Sequence, residues 1–376
     1  MWLLSYIITI NIIFTMIIYM LLRGDPLKSH DGFYYNFEKG YMMEINNRIA
    51  SILKDYYEID ATCIQKQTGG WSALAFLIED TSKKYFLKVY SKKKPSSVQW
   101  TEAIDRYIPV VKWMHDHTEL NINIVSPICT RLKCNKCEDE EYVYLLSEYI
   151  EGTTIGEESL RPSQINELAK ILGVLHKNTS RIPYTLNKEQ VKERFDIDFC
   201  ELLSSFINND LDKQDDMVLK TVKPYTGNLL EKIDRMKFLS STLKRKSHKF
   251  VLCHADAHNW NIMQGQNLML IDWECLKLAP QEQDLILIIT ESYAEQFLNE
   301  YKKYMNYETP DFDAFEFYYL KRKLEDIWEW IKDLRFEGLV KSEDITLNLL
   351  QLSLNECIRI DSFRSDLKKI FKKDLL

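Results

Sequence analysis

Glycine is scarce here: eleven residues in a chain of 376, about 3% where roughly 7% is usual, which leaves no room for a Gly-rich fibrous or low-complexity architecture. Eight cysteines over that length are too dilute for a disulfide scaffold. Basic charge is in deficit, with Lys+Arg 49 against Asp+Glu 56 and a net charge of -7. That balance argues against a nucleic-acid backbone as the chief partner and suits a cationic small substrate better. No internal repeat is present. What remains, 45% hydrophobic and 28% charged, is the make-up of a folded globular protein long enough for two or three lobes.

A single long apolar run stands at the start. Residues Met1 to Leu22 carry no charge, Gly or Pro, and are about as long as one bilayer-spanning helix. No positive segment precedes the run and no small-residue cleavage site follows it, so a retained anchor fits better than a cleaved signal. Arg23 and Lys28 come after the run, which would leave the remaining chain in the cytoplasm, attached at the inner face of the membrane. The alternative is a true start further along, at Met20, Met42 or Met43. The expected organisation is an apolar segment over 1–23, a polar linker over 24–44, an N-terminal lobe over 45–150 and a C-terminal lobe over 151–376.

Periodicity supports that division. Ile45, Ile49, Ile52 and Leu53 have helical spacing. Strand-like runs follow over 61–65, 73–78 and 85–90, then a helical stretch over 100–117 in which Pro109 should bend the helix or mark its first turn. Strands over 124–129 and 142–149 flank a charged hairpin tip. Beyond Gly152 the pattern is mainly helical, broken near 250–272 by short apolar runs. Five antiparallel strands with one inserted helix, then a helical half, make a two-lobed α+β chain.

The stretch from Phe250 to Glu274 carries the chemistry. Asp256 and Asn261 lie five residues apart in a loop after an apolar strand, and Asp272 ends the hairpin that follows. A short-turn hairpin returns its second strand beside its first, so Asp272 comes back near Asn261. Two oxygen ligands then converge, enough for a Mg²⁺ that also binds substrate phosphates. Asp256 stays free to accept a hydrogen bond from an attacking hydroxyl. Phosphoryl transfer needs alignment and charge neutralisation of this kind. Lys88, a charge inside an apolar strand, is the candidate cation for nucleotide phosphates. Gly69 and Gly70, one strand earlier, permit the close backbone approach that covering a triphosphate requires.

His254-x-Asp256-x-x-x-x-Asn261 followed by Ile271-Asp272-Trp273-Glu274 resembles the aminoglycoside phosphotransferase family, which has a protein-kinase-like fold. Tyr56-Tyr57-x-Ile59-Asp60, Tyr85-Phe86-x-Lys88, Leu278-Ala279-Pro280-x-Glu282-x-Asp284-Leu285 and Leu324-Glu325-Asp326-Ile327 resemble its spectinomycin branch most closely, over about residues 45–335. The resemblance implies an ATP- or GTP-dependent enzyme using Mg²⁺, with Asp256 as catalytic base and Asn261 and Asp272 as metal ligands. It implies that Lys88 contacts the nucleotide phosphates and is steadied by an acid on the following helix, Glu102 ahead of Asp105. Glu148, Tyr149 and Ile150 would offer backbone groups to adenine, and Asp284 would brace the catalytic loop. Trp260 departs from the pattern, because that position is commonly Gly in the family; if it needs φ > 0, a Trp there is strained.

Several residues read more plainly. His254 reads as a structural hydrogen-bonding group of the loop, and His258 as structural or substrate-adjacent. Cys134-Asn135-Lys136-Cys137 has zinc-knuckle spacing, with Cys129 nearby, but no second pair follows, so it reads as a reduced hairpin loop. Leu320, Leu324, Ile327 and Ile331 form a buried stripe. The acids Glu325 and Asp326 on that helix are either a solvated face or, as the resemblance suggests, contacts to the ammonium groups of a cationic acceptor. The leading expectation is a small-molecule O-phosphotransferase acting on an aminoglycoside or aminocyclitol. The alternatives are a metabolic kinase for choline, an amino alcohol or a sugar, and a weakly catalytic nucleotide-binding scaffold tethered to a membrane.

Overall fold

A computed structural model describes residues 30–67, 72–210, 217–307, 309–337 and 343–372. Among the described residues no helix is long and apolar enough to cross a membrane. The apolar run over 1–22 and the Gly69-Gly70 pair lie outside them. The chain divides into two units, Met1–Asp60 and Ala61–Leu376.

In the first unit, helix α1 (His30–Tyr57) begins well before the helical period that starts near Glu44, so the stretch read as a linker is helical from His30 onward. Gly32 and Gly40, weak helix formers, obscured it, although Phe33, Phe37 and Tyr41 continue the four-residue spacing of Ile45 and Ile49. The left-handed Glu58 (φ 58°) and the Ile59 N–H on the Leu53 carbonyl end it.

The second unit opens with a six-stranded antiparallel sheet. Strands β1 (Cys63–Gln67), β2 (Leu74–Glu79), β3 (Lys84–Ser91), β4 (Pro127–Ile128), β5 (Cys137–Glu138) and β6 (Tyr142–Glu148) run in the order β1-β2-β3-β6-β4, with β5 also on β6. The five expected strands are therefore joined by one short addition at the hairpin tip, and the 124–129 run contracts to two residues. The β2–β3 turn is closed by Asp80, whose Oδ1 accepts from Ser82 N (2.6 Å) and Lys83 N (2.7 Å). Helix α2 (Pro95–His117) starts with Pro95 in its first turn and runs on through Pro109, so the first turn lies earlier than expected. It buries Ile104, Tyr107, Ile108, Val111 and Met114 in one core with Tyr90, Val143 and Leu145 of the sheet. Lys88 pairs with Leu145 and Tyr90 with Val143, so period-2 alternation puts Lys88 on this same covered face.

The helical half contains α3 (Pro162–Asn178), α4 (Asp198–Asp210), α5 (Met217–Val222), α6 (Thr226–Arg245), α7 (Glu282–Ile289), α8 (Ala294–Tyr301), α9 (Phe312–Lys332), α10 (Glu343–Cys357) and α11 (Ile360–Lys372). Asp311 caps α9 by accepting from Asp313 N (3.0 Å) and Ala314 N (3.2 Å), a contact worth about 1 kcal/mol. Leu320, Leu324, Ile327 and Ile331 are fully buried along that helix, each worth about 1.5–3 kcal/mol of removal from water. The helix is thereby fixed in the core, and whatever its opposite face carries is fixed with it.

Short strands build the loop region: β7 (Thr153–Thr154), β8 (Val251–Cys253), β9 (Ile262–Gln264), β10 (Leu268–Leu270) and β11 (Lys277–Ala279). β9 and β10 form the expected hairpin, β7 lies on the other side of β9, and β11 pairs with β8. The crossing of 151–153 over this hairpin needs two glycines. A Cβ on Gly265 would lie 2.6 Å from the Glu151 carbonyl oxygen, and one on Gly152 2.6 Å from that of Gln264.

Candidate active site

The loop from His254 to Asn261 leaves β8 through Ala255, a non-glycine residue with φ 68°. Left-handed geometry costs an L-residue roughly 1–2 kcal/mol, so something must hold it. Asp284, buried at the start of α7, does so with both oxygens: Oδ2 accepts from His254 N (3.0 Å) and Oδ1 from Ala255 N (2.6 Å). His176 of α3 donates through Nε2 to Asp284 Oδ2 (2.9 Å) and meets the Tyr301 hydroxyl through Nδ1 (2.6 Å). His254 is locked as well. Its Nε2 donates to the Ile271 carbonyl (3.0 Å), which leaves Nδ1 to accept from Asp256 N (3.3 Å). Burial holds its pKa below the ordinary imidazole value, consistent with a neutral ring spanning the two loops.

The Asp256 carboxylate is gripped on both oxygens. Asn261 Nδ2 donates to Oδ2 (2.9 Å) and also to the Asp256 main-chain oxygen (2.9 Å). His258 Nε2 lies 3.4 Å from Oδ2, and Arg322 Nη1 of α9 donates to Oδ1 at 2.6 Å. Burial acts to raise the pKa of Asp256, but the His258 hydrogen bond and the Arg322 charge outweigh it and hold the carboxyl well below the usual range. With its amide nitrogen engaged on Asp256, Asn261 keeps its amide oxygen for another partner. The hairpin returns the chain so that Ile271 N donates to the Asn261 carbonyl (3.0 Å), which sets Asp272 beside Asn261. Asp272 is itself left-handed (φ 64°), a conformation Asp tolerates better than most residues.

Lys88 meets this loop from the sheet. Its Nζ donates to Asp272 Oδ1 (2.9 Å) and to Glu274 Oε1 (2.6 Å). Burial works against its charge, yet the two carboxylates outweigh that and hold the ammonium pKa above its ordinary value. Glu274 also accepts from the Tyr90 hydroxyl and, through Oε2, from Ser72 Oγ (3.1 Å). Glu102 and Asp105 do not reach Lys88, contrary to the expectation from the sequence. Both are exposed, and Asp105 is engaged with Asn135 Nδ2 (3.0 Å) and Lys136 Nζ (3.0 Å). The reason is helical phase: Ile104, Tyr107, Ile108 and Val111 turn one face of α2 inward, which points positions 102 and 105 outward.

Glu148 ends β6 and its N–H donates to the Ser126 carbonyl (3.2 Å), so that group of the segment 148–150 is engaged; Ile150 packs near Gly265. On α9, Glu325 is 44% exposed and 4.0 Å from Lys321, whereas burial pushes the Asp326 pKa up to about 6 against the pull of the Arg322 charge. Trp260 carries no backbone strain: it lies in the short helical turn Asn259–Asn261, outside the positive-φ residues. The positive φ belongs instead to Gly156 (61°), where an added Cβ would stand 3.4 Å from the indole. Among the described residues no metal-ligand cluster forms at Cys129, Cys134 and Cys137; the one group with metal-like proximity, His176, Cys253 and Asp284, is the brace already described.

Residues 64–318 match the family model described as the phosphotransferase enzyme family, well over half of the chain. The chain belongs to that family. Solved structures similar to this phosphotransferase include a spectinomycin phosphotransferase in complex with ADP and spectinomycin, at 21% identity and TM-score 0.67, covering 84% of this chain and 98% of that one. A choline kinase from Streptococcus pneumoniae follows at 17% identity and TM-score 0.57, covering 85% and 99%. A Plasmodium vivax ethanolamine kinase matches at 15% and 0.53, covering 85% and 89%. At these identities the likeness establishes the kinase-like fold. No curated protein matches the chain by sequence.

Glu274, Arg322, Ser72 and His176 contact the candidate site residues or their supports without having been given a role from sequence. Glu274 had a signal, an acid two residues after Asp272 in the same turn. Arg322 had none, since it lies 66 residues from the carboxylate it contacts.

Proposed function

We propose that this phosphotransferase transfers the γ-phosphate of ATP to a hydroxyl of a small cationic molecule, an aminoglycoside or aminocyclitol of the spectinomycin type. The observation that carries the reading is the convergence of Asp256, Asn261, Asp272 and Lys88 from three separate elements. A divalent cation fits the donor set. Asp272 and Glu274 already share one cation, the Lys88 ammonium, and the Asn261 amide oxygen adds a hard donor beside them. Asn261 and Asp272 would hold Mg²⁺, and Lys88 would hold nucleotide phosphates. When bound, the nucleotide and Mg²⁺ supply the phosphoryl donor and neutralise charge on the transferred group.

The chain's own residues do the rest. Asp256, ionised and fixed, accepts a hydrogen bond from the acceptor hydroxyl and orients its oxygen lone pair for in-line attack. Asp284 and His254 keep that carboxylate at its station through the loop backbone. Glu274 orients Lys88, the task the sequence assigned to Glu102. Segment 148–150 would receive the base, and Glu325 and Asp326 would meet ammonium groups of the acceptor. The nucleotide lobe would end at residue 150 and the acceptor lobe begin at 151. The choline and ethanolamine kinases among the structural neighbours support a second reading, an amino-alcohol acceptor, which the same acids would suit.

The test is nucleotide consumption with Mg²⁺ against spectinomycin, other aminocyclitols, choline, ethanolamine and sugars, for wild type and Asp256→Ala. Turnover lost in the variant with ATP affinity unchanged supports the assignment. A variant that still transfers phosphate sinks it.

A further inference from the structure

We propose that Arg322 is the positioning residue of the catalytic carboxylate, a role that rests on the reading of Asp256 as the base. The two oxygens of Asp256 are held from different bodies. Oδ2 is held by Asn261, which belongs to the same loop and moves with it. Oδ1 is held at 2.6 Å by Arg322, which stands on α9, and α9 is anchored by Leu320, Leu324, Ile327 and Ile331. The second contact therefore ties the carboxylate to a reference that the loop cannot carry away.

The chemistry fits this task. A guanidinium stays charged at every relevant pH, and its N–H vectors are fixed in a plane, so it fixes direction as well as charge. Each carboxylate oxygen has two acceptor sites, so Arg322 on Oδ1 leaves room for an acceptor hydroxyl on the same oxygen. The charged groups facing Arg322 are Asp256 and, one helical turn on, Asp326; the direct ion pair is with Asp256, and the loss of Arg322 would leave that carboxylate without its cation. Arg322 also gives α9 a link to the base: an acceptor ammonium drawn to Asp326 approaches the residue that orients Asp256.

The experiment compares full-length wild type, Arg322→Met and Arg322→Lys, using an acceptor that wild type turns over, with kcat, acceptor KM, ATP affinity and melting temperature measured for each. Arg322→Met should lower kcat by about 10- to 100-fold, the scale of a misplaced catalytic group, with ATP affinity unchanged. Arg322→Lys keeps the charge without the planar fork and should recover only part of the loss. If Arg322→Met fails to fold, Arg322→Lys carries the test alone, and wild-type kcat in it overturns the proposal. Unchanged kcat in Arg322→Met overturns it too, and a rise in kcat/KM would mark Arg322 as an obstacle the acceptor displaces. Absence of turnover in wild type itself refutes the phosphotransfer reading and the positioning role with it; failure of the positioning role alone leaves wild type active and its variants equal to it.

Discussion

Replacing Asp284 by Asn tests whether the loop that carries the proposed base, residues 254–261, is held by a charge from α7. The side chain is fully buried and accepts from three donors: His254 N at 3.0 Å, Ala255 N at 2.6 Å and His176 Nε2 at 2.9 Å. Asn is nearly isosteric, so no cavity is made. It keeps one acceptor oxygen and turns an NH₂ toward a donor, leaving at least one buried N–H unsatisfied. With the amide oxygen on the Oδ2 side the Ala255 N–H loses a charge-assisted bond worth about 1.5–3 kcal/mol and the two retained bonds lose their charge assistance, together about 3–6 kcal/mol if the loop stayed in place. The loop need not stay, because relaxing Ala255 out of its left-handed conformation returns roughly 1–2 kcal/mol. The net loss should be about 2–4 kcal/mol, a melting temperature lower by on the order of 3–5 °C for a chain of this length. The more telling effect is on rate. Asp256 is one residue beyond Ala255, and a carboxylate displaced by about 1 Å costs about 100-fold in kcat. Nucleotide affinity should stay within about threefold, because Lys88 stands on β3 and its partners, Asp272 and Glu274, follow the β9–β10 hairpin. Thermal denaturation, steady-state kinetics and ATP-binding calorimetry on one preparation suffice. Wild-type kcat together with an unshifted melting temperature would refute the brace.

Two further outcomes follow from the electrostatics. Glu274→Gln removes the charge that Lys88, Tyr90 and Ser72 share, and should weaken ATP binding by about 10-fold, the effect of one buried charge-assisted contact, whereas Glu102→Ala should leave it unchanged; equal effects in a binding titration would restore the helix acid. Asp326 is pushed up to about 6 by burial, against the pull of Arg322 and Lys323 and with help from Glu325 and Asp256. A carboxyl whose folded pKa is raised adds stability while protonated and loses it as pH rises toward that value. Wild type should therefore lose melting temperature between about pH 4 and pH 6 relative to Asp326→Asn, and parallel curves for the two proteins would count against the shift.

Much of the site was legible because its chemistry is local. Asp256, Asn261 and Asp272 lie on one loop and one hairpin, and a two-stranded turn brings its ends together whatever the rest of the chain does. The stripe on α9 was legible for the same reason, since 3.6-residue spacing fixes a helix face without reference to neighbours. Helix α1 before Glu44 was not, because Gly32 and Gly40 place weak helix formers within its first turns.

Sequence alone determined the family, the residue types of the site and the local geometry that pairs Asn261 with Asp272. It could not determine which acid meets Lys88. Two acids on α2 had suitable spacing, but the phase of that helix against the sheet turned both outward, and Glu274 arrived from the far side of the hairpin. Nor could it find Arg322 and His176, whose contacts with Asp256 and Asp284 join positions 66 and 108 residues apart. Pairings of that kind depend on how whole elements pack, and only the tertiary structure decides them. The scarcity of glycine looks different in that light. With so few in the chain, Ala255 and Asp272 adopt the left-handed turns of the site themselves, held there by Asp284 and Lys88.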